Sequence, residues 1–163
     1  MKRGKADLQI NTAQTSCRAK GFPLKSPTKE DARLMLQLEQ LLLMDPNQMA
    51  WHWFWRVFEP LKLRDRAAIR KAYPPGSEGQ RYFDRISAFW ESCGTLVKNR
   101  LLNERLFFDR FLVTPYWEAL REVIYADREE NKEPRIGENF EWLAIRQAKL
   151  AAPQLGKSRK LGN

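Results

Sequence analysis

The sequence predicts an all-α protein, a compact bundle of six or seven short helices with disordered basic termini. Apolar residues recur with a helical period between residues 28 and 150, and strand-like alternation never continues for more than a few residues. Capping residues and prolines separate the periodic segments. The chain has 163 residues, 43% of them hydrophobic, with six Trp and nine Phe. We therefore expect one domain whose core is dominated by large rings.

The first two predicted helices cover residues 28–44 and 46–59. Thr28, with Asp31 three residues later, is typical of a capping box, and leucines follow at helical spacing. Asp45, which precedes a proline, is the predicted N-cap of the second helix. That helix contains the sequence WHWFW and is apolar nearly all round, so we expect it to lie in the centre of the bundle or at an interface.

Three more helices are predicted over residues 62–73, 78–98 and 104–112. Ser77 with Gln80 predicts a capping box at the start of the second of these, which follows the helical period most clearly. Asn99 is expected to end that helix in the left-handed conformation. Asn103 is the predicted N-cap of the third.

The last two predicted helices cover residues 115–130 and 137–150, joined by a charged loop. Thr114, followed by a proline, is expected to cap the first of them. Pro153 lies shortly after the second, and we expect that helix to end before it.

The net charge of +9 lies in the two ends of the chain. Residues 1–25 contain six basic residues and one acid, residues 146–163 contain five basic residues and no acid, and the segment between them has a net charge of −1. Charge blocks at termini are typical of mobile tails. We therefore predict a disordered basic arm, a single helical domain and a basic C-terminal tail over residues 1–25, 26–150 and 151–163.

The N-terminus starts with basic residues, but the apolar segment of roughly 7–15 residues that an export signal needs does not follow. Every apolar run in the chain is shorter than the ~18 residues of a membrane-spanning helix. Cys17 and Cys93 are too few for a disulfide framework. These features predict a cytoplasmic protein without a transmembrane segment.

Residues that would support catalysis or metal binding are scarce. His52 is the only histidine, which excludes a two-histidine metal site and leaves one imidazole for any nucleophilic mechanism. Glycine-rich phosphate loops are absent. Glu118 and Glu122 lie four residues apart, but with Arg121 nearby they are best explained as a solvated surface. We predict a protein that is not an enzyme and has no metal or cofactor; a site at His52 or on the acidic helices is the alternative.

Nucleic-acid binding without sequence preference is an alternative function, because cationic tails neutralise phosphates. The candidate polyanion contacts in the folded body are Arg64, Arg66, Arg70 and Lys71. They lie in a segment of charge +4, residues 56–85, whereas residues 115–141 carry −4. These two segments predict two solvated helix faces or, as the alternative, a self-complementary dimer. Against nucleic-acid binding, the body is nearly neutral and contains no helix-turn-helix or RNP-type motif.

Residues 81–146 contain the segments FWESCGTLVKNRLL, NERLFFDRF, PYWEALREVI and NFEWL in that order. Their aromatic and polar motif positions include Trp90, Glu91, Tyr116, Trp117, Asn139, Phe140, Glu141 and Trp142. This pattern resembles a bacterial family catalogued as domain of unknown function 4760. The chain departs from it at Asn99-Arg100, where the family tends to have Gly. The resemblance implies a small helical protein of unassigned function, with no known active site to carry over.

Three polar motif residues, Glu91, Asn139 and Glu141, lie beside Trp in helices that are expected to pack together. A carboxylate that becomes buried needs a partner. We therefore predict structural salt bridges or a helix-end hydrogen bond here, with Arg85 or Arg121 as the cationic partner.

A protein–protein interaction module is the function that the sequence favours. A helix that is apolar on every side must meet its own core or a partner, either another protein or a second copy of the chain. The candidate interaction surface is Trp51, Trp53, Phe54, Trp55 and Phe58.

Overall fold

Seven α-helices joined by short connections make up residues 26–158, the part of the chain that the computed structural model describes, with side chains described for 26–151. The helices are α1 (Lys29–Leu43), α2 (Asp45–Trp53), α3 (Arg66–Ala72), α4 (Glu78–Lys98), α5 (Glu104–Arg110), α6 (Thr114–Asn131) and α7 (Glu138–Ser158). Within the described residues there is no strand, which confirms the predicted all-α class. The predicted basic arm, residues 1–25, lies outside the described residues.

The core lies around α4, which packs against both α2 and α7. Eight residues of α4 are buried, spaced so that they cover the sides of the helix that face these neighbours. The largest fully buried side chains are rings, and they are Trp90, Phe54, Phe58, Phe107 and Phe140. Each such ring contributes on the order of 2 kcal/mol by leaving water, so the aromatic content of the sequence supplies much of the stability of the bundle.

Three N-caps lie where the sequence predicts them. The Thr28, Ser77 and Asn103 side chains accept hydrogen bonds from backbone N–H groups three residues later, at 3.2, 3.2 and 3.1 Å. Only Thr28 completes a capping box, through the Asp31 carboxylate. The Gln80 side chain donates to Asp84 instead, at 2.8 Å, so the box predicted at Ser77 is half formed. Asp45 is not a cap, because α2 begins at that residue.

The segment predicted as one helix over 46–59 changes geometry after Trp53. A π-helix covers Phe54–Phe58 and a 3₁₀ turn covers Glu59–Leu61. The wider π turn brings Trp53 and Phe58 together as stacked rings, with centroids 5.6 Å apart. In an α-helix, residues five apart point about 140° away from each other, so this contact requires the extra width.

The helix predicted over 62–73 begins later, at Arg66. Lys62 has a left-handed backbone, with φ 51°, which ends the preceding turn. The Asp65 side chain then accepts a hydrogen bond from Ala68 N–H at 2.8 Å and sets the start of α3.

The left-handed residue after α4 is Arg100, not Asn99 as predicted. Arg100 has φ 61°, whereas Asn99 has φ −86°. Leu101 N–H donates to Leu96 C=O at 2.9 Å, and Arg100 N–H donates to Val97 C=O at 3.0 Å. This pair of bonds is the Schellman motif, which places the left-handed residue one position after the cap.

Gln147, from α7, satisfies the start of α6 in place of the predicted cap, Thr114. Its Oε1 accepts from the N–H groups of Val113 and Thr114 at 2.8 and 3.0 Å, and from the Thr114 hydroxyl at 3.0 Å. Its Nε2 donates to the Phe111 carbonyl at 2.8 Å. One buried amide thus joins α7 to the connection between α5 and α6.

The last helix continues to Ser158, beyond the predicted end at residue 150 and into the predicted tail. Pro153 lies within it. A proline removes one backbone hydrogen bond and disfavours the preceding turn, but these costs do not always end a helix.

Candidate functional site

The five rings of the candidate interaction surface divide between the core and the exterior. Phe54 and Phe58 are fully buried, and Trp51 and Trp53 are half-buried. Trp55 remains 42% exposed. The predicted surface is therefore largely internal, and the ring available to a partner is that of Trp55.

Trp55 is held in a fixed orientation. Its Nε1 donates a hydrogen bond to the Tyr116 hydroxyl at 2.7 Å, and the two rings meet edge to face with centroids 5.3 Å apart. Burial raises the pKa of Tyr116, although the Trp55 hydrogen bond opposes the shift, so the hydroxyl stays neutral at physiological pH. The exposed face of the indole is thus rigid and apolar.

Other exposed apolar side chains occur in the same stretch of chain as Trp55. Met49, Val57 and Leu61 are exposed by 55%, 47% and 53%. Single exposed apolar residues are common in proteins, and these four lie within thirteen positions of one segment.

The residues considered for catalysis do not converge. His52 is exposed and makes no side-chain hydrogen bond to a residue of the described part of the chain. Glu118 and Glu122 both pair with Arg121, at 3.1 and 3.3 Å. Within the side chains that the structure describes, no three His, Cys, Asp or Glu residues come together as a metal site.

Three of the four candidate polyanion contacts form ion pairs inside the molecule. Arg64 pairs with Glu59 at 2.7 Å. Arg66 pairs with Glu130, and Arg70 pairs with Asp127 and Glu130 at 2.8 and 2.6 Å. Lys71 is the fourth contact; it is exposed and without a side-chain partner among the described residues.

These ion pairs join the basic segment to the acidic one. Arg66 and Arg70 lie on α3, and Asp127 and Glu130 lie on α6. Burial raises the pKa of Asp127, and Arg70 opposes the shift. Two cations of the basic segment are thus paired with two acids of the acidic segment within one chain, at positions that remain partly exposed to solvent. The self-complementary dimer stays a prediction.

The motif residue Glu91 binds the first turn of α7. Its carboxylate accepts from the backbone N–H groups of Asn139 and Phe140, both at 3.0 Å, and from Asn139 Nδ2 at 2.7 Å. This is a helix-end hydrogen bond of the predicted kind, made between α4 and α7. Negative charge at a helix N-terminus is favourable because the backbone N–H groups there lack partners.

Glu141 forms the salt bridge of the motif, but with a different arginine from those predicted. Its carboxylate pairs with Arg128 at 2.8 Å and accepts from the Tyr125 hydroxyl at 2.8 Å. Arg128 Nε also donates to the Ile136 carbonyl at 2.7 Å, so the loop before α7 is hydrogen-bonded to α6. Burial and the hydrogen bond to Glu141 raise the pKa of Tyr125.

Arg85 and Arg121, the predicted partners, are engaged elsewhere or exposed. Arg121 pairs with the two glutamates of its own helix. Arg85 lines the rim of a groove of about 530 Å³ between α1, the start of α2 and α4. Leu38, Leu41 and Phe89 form the apolar part of that groove.

A second cavity, of about 330 Å³, lies between the end of α4 and α7. Its lining includes the motif residue Trp142 and four cationic side chains. The sequence does not predict this site, because Arg146 and Lys149 count there only toward the charge of the C-terminal end. The available signal was their helical spacing from Trp142, which places all three on one face.

A comparison with family models matches residues 44–147 to the Domain of unknown function (DUF4760). The match contains the predicted stretch 81–146 and extends it through α2, while α1 lies outside it. No curated protein and no solved structure matches the chain. None of the helices in the described part of the chain is both long and apolar enough to span a membrane.

Proposed function

The chain belongs to the DUF4760 family, and because that family's description names no activity, we propose from the geometry that the protein is a non-catalytic module that binds another protein. The contact surface in this proposal is the exposed apolar stretch of chain around Trp55, comprising Met49, Trp55, Val57 and Leu61. A cytoplasmic location belongs to the same proposal, supported by the free, buried thiol of Cys93.

The exposed indole of Trp55 is the observation that carries this proposal. Trp is among the side chains that most often dominate binding energy, because its large ring can be buried at little entropic cost. The hydrogen bond to Tyr116 fixes the ring before any partner arrives. A partner would therefore bury a pre-positioned apolar face.

The proposal that the protein is not an enzyme is supported by the glutamate carboxylates, which are engaged in ion pairs and hydrogen bonds within the fold. Glu118 and Glu122 are neutralised by Arg121. The carboxylates of Glu91 and Glu141 bind a helix end and an arginine. These groups stabilise the fold in the arrangement observed.

The test is to purify the tagged full-length chain from its own cells and to measure the mass and composition of what accompanies it. We expect a stoichiometric protein partner with the native chain and its loss with Trp55→Ala. Leu41→Ala is the matched control, since Leu41 is 45% exposed, against 42% for Trp55, and lines the separate groove.

Other outcomes reject specific parts of the proposal. Loss of the partner with Leu41→Ala but not Trp55→Ala would move the site to the groove. A mass of two chains without another protein would mean self-association. Co-purifying nucleic acid whose binding falls steeply with salt, and which is lost on deleting residues 1–25 and 146–163, would favour the nucleic-acid alternative instead.

A further inference from the structure

The second cavity is strongly cationic. Lys98 at the end of α4 and Arg100 in the turn after it line the cavity, α7 contributes Arg146 and Lys149, and Glu104 is the acidic residue of the lining. A volume of about 330 Å³ lies at the small end of the range for ligand pockets.

Two of the four cations already have anionic or polar partners. Arg146 Nε donates to Glu104 at 2.7 Å, so the acid of the lining is neutralised by one arginine. Lys98 Nζ donates to Asn139 Oδ1 at 2.9 Å and lies 3.7 Å from the Glu138 carboxylate.

The other two cations, Arg100 and Lys149, have no side-chain hydrogen bond or ion pair with any residue whose side chain the structure describes. Both line the same cavity, so their charges repel each other and attract an anion. Two carbonyls near the end of α4, those of Leu96 and Val97, are bonded within the turn.

A flat ring adjoins these charges. Trp142 is half-buried in the lining, and it precedes Arg146 and Lys149 by four and seven residues on one face of α7. An indole face beside a cationic centre suits a ligand with a planar ring next to its anionic group, because aromatic faces stack on bases. Arg is also the side chain that best matches the geometry of phosphate oxygens.

We propose that this cavity binds a nucleoside phosphate, with its phosphate groups at Arg100 and Lys149 and its base against Trp142. A free nucleotide is favoured over a nucleic-acid strand because Arg66 and Arg70, two of the three basic residues of α3, are already paired with acids. The inference does not depend on the protein-binding proposal, since Trp55 is not part of this cavity.

Calorimetric titration of the full-length chain with ADP and with pyrophosphate, at constant ionic strength, tests the proposal. We expect saturable binding of one ADP per chain. Arg100→Gly and Lys149→Gln should each weaken ADP binding tenfold or more, since each removes a charge-assisted contact. Trp142→Leu should weaken ADP binding while leaving pyrophosphate binding within twofold.

Lys132→Gly is the matched control for Arg100→Gly. Lys132 is also a cation in the left-handed position after a helix, with φ 52°, and does not line the cavity. In both variants glycine replaces a residue whose backbone is already left-handed, a conformation that glycine adopts easily, so loss of folding does not explain a loss of binding.

Equal weakening by both variants, or the absence of saturable ADP binding, would overturn the proposal. Equal affinities for ADP and pyrophosphate would reject the nucleoside, and binding of a single-stranded oligonucleotide but not ADP would reject the free nucleotide.

Discussion

The carboxylate of Glu91 accepts a hydrogen bond from the backbone N–H of Phe140 at 3.0 Å, so a side chain of α4 caps the first turn of α7. Phe140 itself is fully buried, and its ring packs against those of Trp90 and Trp117. The same junction therefore satisfies backbone polar groups and buries apolar rings. It is a contact through which the motif residues of α4 and α7 hold these two helices together.

Substitutions of Glu91 should lower the free energy of unfolding, and the loss should be larger when more of its hydrogen-bond-accepting oxygens are removed. Glu91→Ala removes both carboxylate oxygens, which accept the hydrogen bonds from the N–H groups of Asn139 and Phe140. We expect the free energy of unfolding to fall by about 1–3 kcal/mol. Glu91→Gln retains one oxygen and should lose less. Urea denaturation followed by circular dichroism measures both, and equal losses in the two variants would contradict the capping role.

Gly94 lies about one turn further along α4, where the backbone of α7 comes close. A Cβ at this position would lie 2.3 Å from the Asn139 carbonyl oxygen, so the backbones would have to separate. We expect Gly94→Ala to destabilise the protein by about 1–3 kcal/mol, although Ala favours a helix over Gly. Ser92→Ala, an exposed change on the same helix, is the control and should stay within about 0.5 kcal/mol. A Gly94→Ala variant as stable as the native chain in thermal melts would refute this close approach.

Gln147 gives a third prediction, since one buried amide supplies the cap that α6 lacks. Gln147→Leu keeps most of the volume but leaves the Val113 N–H without its acceptor, and we expect a loss of about 1–3 kcal/mol. Thr114→Val removes only the hydroxyl contact at 3.0 Å and should cost less. Chemical denaturation of the two variants compares them, and a larger loss in Thr114→Val would show that the hydroxyl is the main contact.

A glycine in the turn after α4 should increase the stability of the protein. Arg100 holds a left-handed backbone with φ 61°, which costs a residue with a Cβ more than it costs glycine. Arg100→Gly should therefore raise the unfolding free energy by about 0.5–1 kcal/mol in the absence of ligand. Asn99→Gly is the control, because Asn99 has φ −86° and gains nothing from glycine. Thermal melts in which Asn99→Gly stabilises more than Arg100→Gly would contradict this assignment.

The sequence predicts helix caps whose hydrogen-bond partners lie a few residues away, but it does not predict caps and helix geometries that depend on residues far along the chain. The caps at Thr28, Ser77 and Asn103 bond to residues three positions away, so their patterns are visible along the chain. Gln147 caps residues more than thirty positions earlier, and no local pattern reveals such a partner. No local pattern reveals the π-helix either, because its Phe58 ring packs on Tyr73 and Phe83 from other segments.

The same division holds for the candidate site. The sequence indicates an unusually apolar helix, but whether each ring faces the core depends on distant residues such as Tyr116 of α6, which packs on the buried Phe54 while Trp55 stays exposed. Arg66 and Arg70 form ion pairs with acids of another helix, so these two cations of the basic segment already have partners within the protein. The cationic cavity requires that Arg100 meet α7, a contact that charge counting along the chain does not reveal.

Cys93 offers a direct probe of how firmly α4 is held. It is fully buried, and burial raises the pKa of its thiol, so the native protein presents neither access nor a thiolate to a reagent at pH 8. In a Cys17→Ser background, which leaves one thiol, we expect labelling by a disulfide reagent on the order of 10³-fold slower than in denaturant. Adding Gly94→Ala should speed labelling, because separating α4 from α7 lowers the cost of opening. Native labelling within a few-fold of the unfolded rate would show that this part of α4 opens readily, contrary to the packing described.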